Sequence, residues 1–201
     1  APVAASAAAS VPASGVSFGG WGGADAQAFG DLVSTLPRTA LNNAINHFSL
    51  QAGFQYLFLI PVTAEFVSTG IRYVTGLTSG ITGATVTVTA YTGTTTAALT
   101  RVTNPAPAPF TAVSSFTQGA WPSAAQIQPN WLAIVFTCTA VGATPPRLMT
   151  PAANNAAGSG FLNPGVGIRM AASRISTALP DMLDVTSGWN PWALPTWLAA
   201  Y

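Results

Sequence analysis

Apolar and polar side chains alternate over several stretches after residue 50, which is the pattern of a β-strand with one buried face. The clearest stretch is residues 83–92, in which small or branched apolar side chains alternate with threonine and tyrosine. The apolar set is Val86, Val88 and Ala90, and the polar set is Thr85, Thr87, Thr89 and Tyr91. The strands that such patterns predict cover residues 56–62, 70–75, 85–91, 99–103, 110–116, 131–139, 165–171 and 196–201.

Residues 131–139 differ from the other predicted strands because they are apolar at almost every position. A strand that is apolar on both faces is typical of the middle of a sheet that is covered on both sides. Proline and glycine interrupt the chain at residues 104–109, 119–129 and 140–164, and we expect these breaks to lie outside any central ladder. About eight strands suffice for two packed sheets, so the sequence predicts an all-β fold, an antiparallel β-sandwich.

The first 50 residues follow other patterns. Residues 1–23 consist mainly of Ala, Ser, Gly and Pro, a composition that cannot bury enough apolar surface to fold alone. They are predicted to form an extended, low-complexity arm that a partner surface holds, with a disordered tail as the alternative. Between residues 25 and 48, apolar residues recur at i, i+3, i+4 and i+7, which predicts two short helices separated at Pro37. The predicted domains are thus an extended arm (1–23), a helical linker (24–50) and a β-sandwich (51–201).

Charge is scarce in this chain of 201 residues, because only 5% of the residues are Asp, Glu, Lys or Arg and the net charge is +1. An ordinary soluble domain has about 25% charged residues, and a net charge near zero promotes association. We therefore expect a protein that associates with copies of itself, as a trimer, and that lives within an assembly. The basic residues are six scattered Arg, so nucleic acid is not an expected partner. The longest apolar stretches are far shorter than the roughly 18 to 20 residues that span a bilayer, so no membrane span is predicted.

The residue types that enzymes and metal sites use are few. The chain has five carboxylates, one histidine, His47, and one cysteine, Cys138. Only Asp181 and Asp184 are close in sequence, and the run LPDMLD is more typical of a turn in which Asp side chains accept backbone hydrogen bonds. We expect a lone His47 in a predicted helix and a Cys138 in an apolar run to be structural. The sequence therefore predicts no enzyme, no catalytic residue, no metal site and no cofactor.

Tryptophan is the most informative residue type, since the chain has six and three of them lie in residues 188–201. Tryptophan rings fill cores, anchor protein interfaces or stack on sugars, and the sequence leaves all three roles open. We expect Trp197, together with Leu198 and Tyr201, to close the sandwich. The possible surface-binding residues are Trp121, Trp189 and Trp192. The predicted partner-binding residues are the larger side chains of the arm, Val3, Val11, Phe18 and Trp21.

The C-terminal run LPDMLDVTSGWNPWALPTWLAAY, residues 179–201, resembles the ends of jelly-roll-like domains in certain phage proteins. These are surface structural proteins, either minor tail or head decoration proteins, of phages that infect actinobacteria. The similarity continues in FLIPVTA at residues 58–64, VTVTAYTG at 86–93 and WLAIVF at 131–136, so it covers about residues 54–201. The resemblance implies a jelly-roll-like sandwich, a location in the virion and no enzymatic role.

Three functions follow from these observations. The first is a virion structural or decoration protein that is attached to the capsid or tail through its N-terminal region and displays the sandwich on the surface. Its expected partner is the major capsid or tail protein of the same virion. The second is a minor tail protein that acts as a receptor-binding adhesin for a host surface glycan. The third is a secreted actinobacterial adhesin or carbohydrate-binding module. The low charge and the small-residue arm favour the first.

Overall fold

The computed structural model of the protein describes residues 30–35, 46–76, 83–110, 115–150, 171–191 and 196–201. In these ranges the chain forms fourteen β-strands and no α-helix. The strands are β1 (Val33–Ser34), β2 (Asn46–Ser49), β3 (Phe54–Val62), β4 (Phe66–Thr75), β5 (Ala84–Gly93), β6 (Leu99–Arg101), β7 (Ala106–Pro107), β8 (Ser115–Ile127), β9 (Asn130–Val141), β10 (Arg147–Thr150), β11 (Ala171–Ile175), β12 (Met182–Leu183), β13 (Asn190–Pro191) and β14 (Leu198–Ala200). No helix of the described ranges is long and apolar enough to cross a membrane.

The strands form two antiparallel sheets that pack face to face. The six-stranded sheet has the order β1-β14-β4-β10-β2, and β8 also pairs with β4. The eight-stranded sheet has the order β12-β6-β5-β9-β3-β11-β13, and β7 also pairs with β5. Every strand pair that the structure describes is antiparallel. The prediction of an all-β, antiparallel sandwich is therefore confirmed.

Strand β9 lies in the middle of the eight-stranded sheet, between β5 and β3. Its side chains alternate between two apolar environments because both faces of the sheet are covered. Leu132, Ile134 and Phe136 belong to the core between the sheets, whereas Ala133 and Val135 belong to a second, smaller cluster on the outer face. The central position that the apolar run predicted is confirmed.

Aromatic side chains join the inner faces of the two sheets. The Phe136 ring on β9 lies edge-on to Phe58 of β3 at a centroid distance of 6.1 Å, and to Tyr73 of β4 at 5.2 Å. The Tyr73 hydroxyl donates a 2.6 Å hydrogen bond to the carbonyl of Pro109, which satisfies the polar end of a buried ring. Burial raises the pKa of Tyr73 well above its usual value. The core is thus continuous from one sheet to the other.

The predicted helical linker, residues 24–50, is wrong wherever the structure describes it. Val33–Ser34 forms β1, which pairs with β14, and Asn46–Ser49 forms β2, which pairs with β10. Val33 is fully buried and Phe48 packs against the same core, so pairing with distant strands overrides a local spacing that also suits a helix. The arm, residues 1–23, and the rest of the linker lie outside the described residues.

All three of the expected breaks contain strands in their described residues, and in the first, residues 104–109, β7 pairs with β5. In the second break, residues 119–129, β8 continues as far as Ile127 and includes Pro122. It pairs with β4 in two stretches. Gly70 faces Ala120 in one stretch and Ser68 faces Ala125 in the other, so residues 121–124 of β8 form a bulge between them. The bulge accommodates the proline.

The break predicted at residues 140–164 contains β10, which pairs with β2 and meets β4 at Thr75. Of the strand predicted at residues 110–116, Phe110 lies outside any strand, Ser115 and Phe116 belong to β8, and residues 111–114 lie outside the described ranges. Most of the strand predicted at residues 165–171 lies outside the described ranges, and β11 begins at Ala171.

Candidate functional site

One segment packs on the outer face of the eight-stranded sheet and contains several exposed polar residues. We call residues 176–189 the strap. Two of its own side chains, Leu183 and Val185, are buried in the smaller hydrophobic cluster together with Tyr91. Strand β12 attaches the strap to β6, and the amide of Val185 donates a 3.0 Å hydrogen bond to the carbonyl of Thr96. The strap is therefore a packed part of the fold.

Trp189 lies at the end of the strap, where its ring is half-buried. The guanidinium carbon of Arg174 lies 4.2 Å from the ring centroid, which is the geometry of a cation–π contact. The indole Nε1 donates a 3.0 Å hydrogen bond to the carbonyl of Asp184. Arg174 also donates through Nε to Gln55 Oε1 at 2.7 Å, and burial lowers its pKa. One face and the polar end of the Trp189 ring are therefore engaged within the domain.

The run LPDMLD, residues 179–184, was predicted to be a turn in which Asp side chains accept hydrogen bonds from nearby backbone groups. Only one of its two Asp residues has such bonds. The Asp184 Oδ1 atom accepts hydrogen bonds from the Thr186 amide at 2.7 Å and from the Thr186 hydroxyl at 2.6 Å, while Oδ2 accepts from Ser187 at 3.2 Å. These bonds, first that from the Thr186 hydroxyl, lower the pKa of Asp184. The prediction is confirmed for Asp184. Asp181 instead forms an ion pair with Arg101, the last residue of β6.

The possible surface-binding tryptophans do not form one site. Trp121 lies in the β8 bulge with only 6% of its surface exposed, and its Nε1 donates a 3.0 Å hydrogen bond to Ser68 Oγ. Its ring belongs to the core between the sheets and offers little surface to a ligand. Trp189 lies over the outer face of the other sheet, and Trp192 lies outside the described residues. Binding at Trp189 stays a prediction.

The four predicted partner-binding residues also lie outside the described residues. They are Val3, Val11, Phe18 and Trp21. The structure therefore leaves the role of the arm as a prediction, and nothing in the geometry of the described sheets tests it.

Trp197, which directly precedes β14, and Leu198, its first residue, are fully buried on opposite faces of the six-stranded sheet. Leu198 faces the other sheet. Trp197 belongs to a small cluster on the outer face of the six-stranded sheet, where its ring lies edge-on to Phe116 at 5.4 Å. The Tyr201 carbonyl accepts a 2.7 Å hydrogen bond from the Thr69 amide, and Arg72 lies over the Tyr201 ring at 4.4 Å. Of the three residues that were predicted to close the sandwich, Leu198 alone belongs to the core between the sheets, whereas Trp197 packs on the outer face.

The ionisable side chains of the described chain are dispersed. The four described carboxylates have separate partners, which are Arg72 for Asp31 at 2.6 Å, Gln126 for Glu65 at 3.5 Å, Arg101 for Asp181, and Thr186 for Asp184. His47 lies on β2 opposite Met149. Within the described ranges no three His, Cys, Asp or Glu residues are grouped as metal ligands. Cys138 is buried on β9, and burial raises the pKa of its thiol.

Sequence reasoning missed two arrangements that dominate the surfaces of the sheets. One is the contact of Arg174 with Trp189, and the other is the set formed by Asp31, Arg72 and Tyr201. Their members are far apart in the sequence and meet only through strand pairing, so no local pattern signals either one. The exposed Phe116 was also missed because its strand was placed incorrectly.

The comparisons with known proteins add no identity to this geometry. No protein-family model matches the chain, and no curated protein matches it.

Proposed function

We propose that the chain is a non-enzymatic structural protein of a phage virion, attached to the capsid or tail through its N-terminal region. The β-sandwich is then displayed on the particle surface. The resemblance of residues 179–201 to phage surface proteins and the scarcity of charge support this proposal. Two packed antiparallel sheets are compatible with this role, since double-sheet jelly rolls occur in viral capsid proteins.

The observation that carries the proposal is that the few charges of the described chain are engaged within the chain itself. The four described carboxylates all accept hydrogen bonds from side chains of the same domain. Arg174 similarly lies between Gln55 and Trp189. Such pairing leaves little charge to repel a neighbouring copy, and proteins with little effective charge associate readily. The expected partners are the major capsid or tail protein and other copies of the chain, as a trimer.

Deleting residues 1–23 from a phage-encoded copy tests the attachment. We expect the truncated protein to be absent from purified particles while its thermal unfolding matches that of the full chain. The matched variant is the full chain with Phe18→Ala and Trp21→Ala, which keeps the arm but removes its aromatic contacts. A truncated protein that enters particles at the normal copy number contradicts attachment through the arm, and absence of the full chain from all particles contradicts the virion location.

A second function, a minor tail protein that binds a host glycan, has one observation in its favour. Trp189 remains half-exposed beside the exposed polar residues Thr186 and Ser187, and an aromatic ring beside hydroxyl groups suits a sugar. Copy number separates the two functions, since hundreds of copies in each particle favour a decoration or tube protein and a handful favours a tail tip. Loss of cell binding by Trp189→Ala with normal incorporation would favour the glycan receptor.

A further inference from the structure

Arg174, at the end of β11, carries a charge that no carboxylate of the described chain balances. Its two partners are neutral, since Nε donates a 2.7 Å hydrogen bond to Gln55 Oε1 and the guanidinium lies over the Trp189 ring. The four described carboxylates all have other partners. Arg174 is partly buried, and burial lowers its pKa. A cation that is withdrawn from water usually pairs with an anion, so an anion is missing from this position.

The two contacts of Arg174 leave one edge of its guanidinium unused. Trp189 lies against one face of the planar group, and Gln55 binds its Nε side. The Nη1 and Nη2 atoms donate no hydrogen bond to any described residue. These two nitrogens form an edge that can bind a carboxylate through two parallel hydrogen bonds. Because the ring and the amide hold the guanidinium in place, this edge is oriented before a ligand arrives.

The Tyr91 hydroxyl, which lies beneath the strap, also lacks an acceptor. Its side chain is fully buried, and its oxygen has no hydrogen-bond partner in the described chain. Burial raises the pKa of Tyr91, whereas the charges of Arg101 and Arg174 lower it and that of Asp181 raises it. Tyr91 therefore lies within electrostatic range of both arginines. Two donors in one region are thus without an acceptor, and the described side chains do not supply one.

The turn beside the Trp189 ring presents groups of the opposite kind. The indole Nε1 donates a 3.0 Å hydrogen bond to the Asp184 carbonyl, so the turn at residues 184–187 adjoins the ring. The hydroxyls of Thr186 and Ser187 donate to the Asp184 carboxylate at 2.6 Å and 3.2 Å. Both residues are exposed, and their oxygens keep lone pairs that can accept hydrogen bonds. Donors of Arg174 and acceptors of the turn therefore adjoin the same indole ring.

We propose that the surface around Trp189 binds an acidic sugar, a uronic acid residue of a glycan. Its carboxylate accepts two hydrogen bonds from Nη1 and Nη2 of Arg174, and its hydroxyls donate to Thr186 and Ser187. The carboxylate lies on the Arg174 side, because the negative charge of Asp184 repels it from the turn. This deepens the second proposed function, since it rests on glycan binding beside Trp189 and names the class of sugar.

An acidic sugar fits this surface better than a neutral sugar or an acidic protein side chain. A neutral sugar leaves the Nη edge of Arg174 without an anion, and covering an unpaired charge lowers affinity. An aspartate or glutamate side chain supplies the carboxylate but has no hydroxyl groups for Thr186 and Ser187. The C–H groups of a sugar ring can also contact the half-exposed Trp189. Only a ligand with both a carboxylate and hydroxyls satisfies the two sides of the site.

Titration of the purified full chain with methyl glucuronide and with methyl glucoside tests the proposal. The two sugars differ only in that a carboxylate replaces a hydroxymethyl group. The NMR signal of the Trp189 indole N–H, identified by its absence from Trp189→Phe, reports binding. We expect the glucuronide to bind at least about tenfold more tightly, because hydrogen bonds to charged groups contribute that much.

Arg174→Gln should remove the preference for the glucuronide, and Arg174→Lys should restore part of it because the charge returns without the planar fork. Arg101→Gln is the matched control. It removes the same charge at the other end of the strap, from a residue that pairs with Asp181, and should keep the preference. A preference that disappears equally in Arg174→Gln and Arg101→Gln contradicts the site, because net charge would then explain it.

Three results with the wild type overturn the proposal, so the test does not depend on the stability of any variant. Equal binding of the two sugars overturns the acidic class. N-acetylaspartate that binds as tightly as the glucuronide overturns the sugar, because a carboxylate alone would then suffice. Absence of binding by both sugars overturns the site. If Trp189→Ala nevertheless abolishes cell binding, the glycan function stands and the uronic acid is the part that is wrong. None of these results bears on the virion proposal.

Discussion

Replacing Trp197 with alanine should be the most damaging single change in the described part of the sandwich. The residue is fully buried although it lies on the outer face of its sheet, and it packs with Val74, Met149 and Ala199. A buried Trp removes about 250 Å² from water, which at about 25 cal/mol per Å² corresponds to about 6 kcal/mol. Trp-to-Ala substitutions in protein cores lower the free energy of unfolding by about 3–5 kcal/mol. We therefore expect Trp197→Ala to lower it by about 4 kcal/mol.

A loss of this size is comparable to the whole stability of a marginal domain, which is about 5–15 kcal/mol. Urea unfolding followed by far-UV circular dichroism should therefore show a much lower midpoint with an unchanged slope. Combining Trp197→Ala with Phe116→Ala should give a coupling energy of about 0.5–1.5 kcal/mol, the value of an edge-on aromatic pair.

Trp189→Ala is the matched comparison, since it removes the same side chain from a half-exposed position on the strap. The variant loses one indole hydrogen bond and one contact with Arg174. We expect its free energy of unfolding to fall by about 1–2 kcal/mol. Equal losses for Trp197→Ala and Trp189→Ala would refute the argument from burial. A loss below about 2 kcal/mol at Trp197 would refute it as well, because the cluster would then have to collapse around the missing ring.

Three further predictions concern acid, backbone contact and thiol access. The lowered pKa of Asp184 stabilises the fold above the unfolded pKa, near 4, and this stabilisation is lost as pH falls through the folded pKa. The protection of strap amides from hydrogen exchange, relative to the intrinsic exchange rate at each pH, should therefore fall below about pH 4, and Asp184→Ala should remove that dependence. Gly70→Ala should lower the unfolding midpoint, because a Cβ there would overlap the Gly119 carbonyl, whereas Gly119→Ala should be tolerated since its nearest contact is 3.7 Å. Cys138 should react with a thiol reagent only after unfolding, and rapid reaction of the native protein would contradict its burial.

The parts of the fold that the sequence predicted are those with a clear two-residue period. In β5 the apolar side chains Val86, Val88 and Ala90 all lie in the core between the sheets. The opposite face is less polar than its threonines suggested, because Thr89 and Tyr91 are fully buried. The pattern shows which residues share a face, but the segment that covers that face comes from far along the chain.

The wrong predictions have a common physical cause. Short segments such as β1 and β2 contain too few residues to distinguish a period of two from one of 3.6, so long-range pairing decides their structure. Residues 119–129 were taken as a break because they contain glycine and proline, although a bulge at residues 121–124 lets the pairing with β4 resume. The contact between Arg174 and Trp189 likewise depends on where β13 pairs with β11. None of these outcomes is encoded locally.

The strap makes the two margins of the eight-stranded sheet depend on one another. Strand β12 lies at one end of the described strand order and β13 at the other, and only residues 184–189 separate them in the chain. A single proteolytic cut in those residues would release both terminal strands at once. Two backbone edges of the sheet would then open together. One cut in an exposed loop would thus give each protein molecule two edges at which another strand can pair.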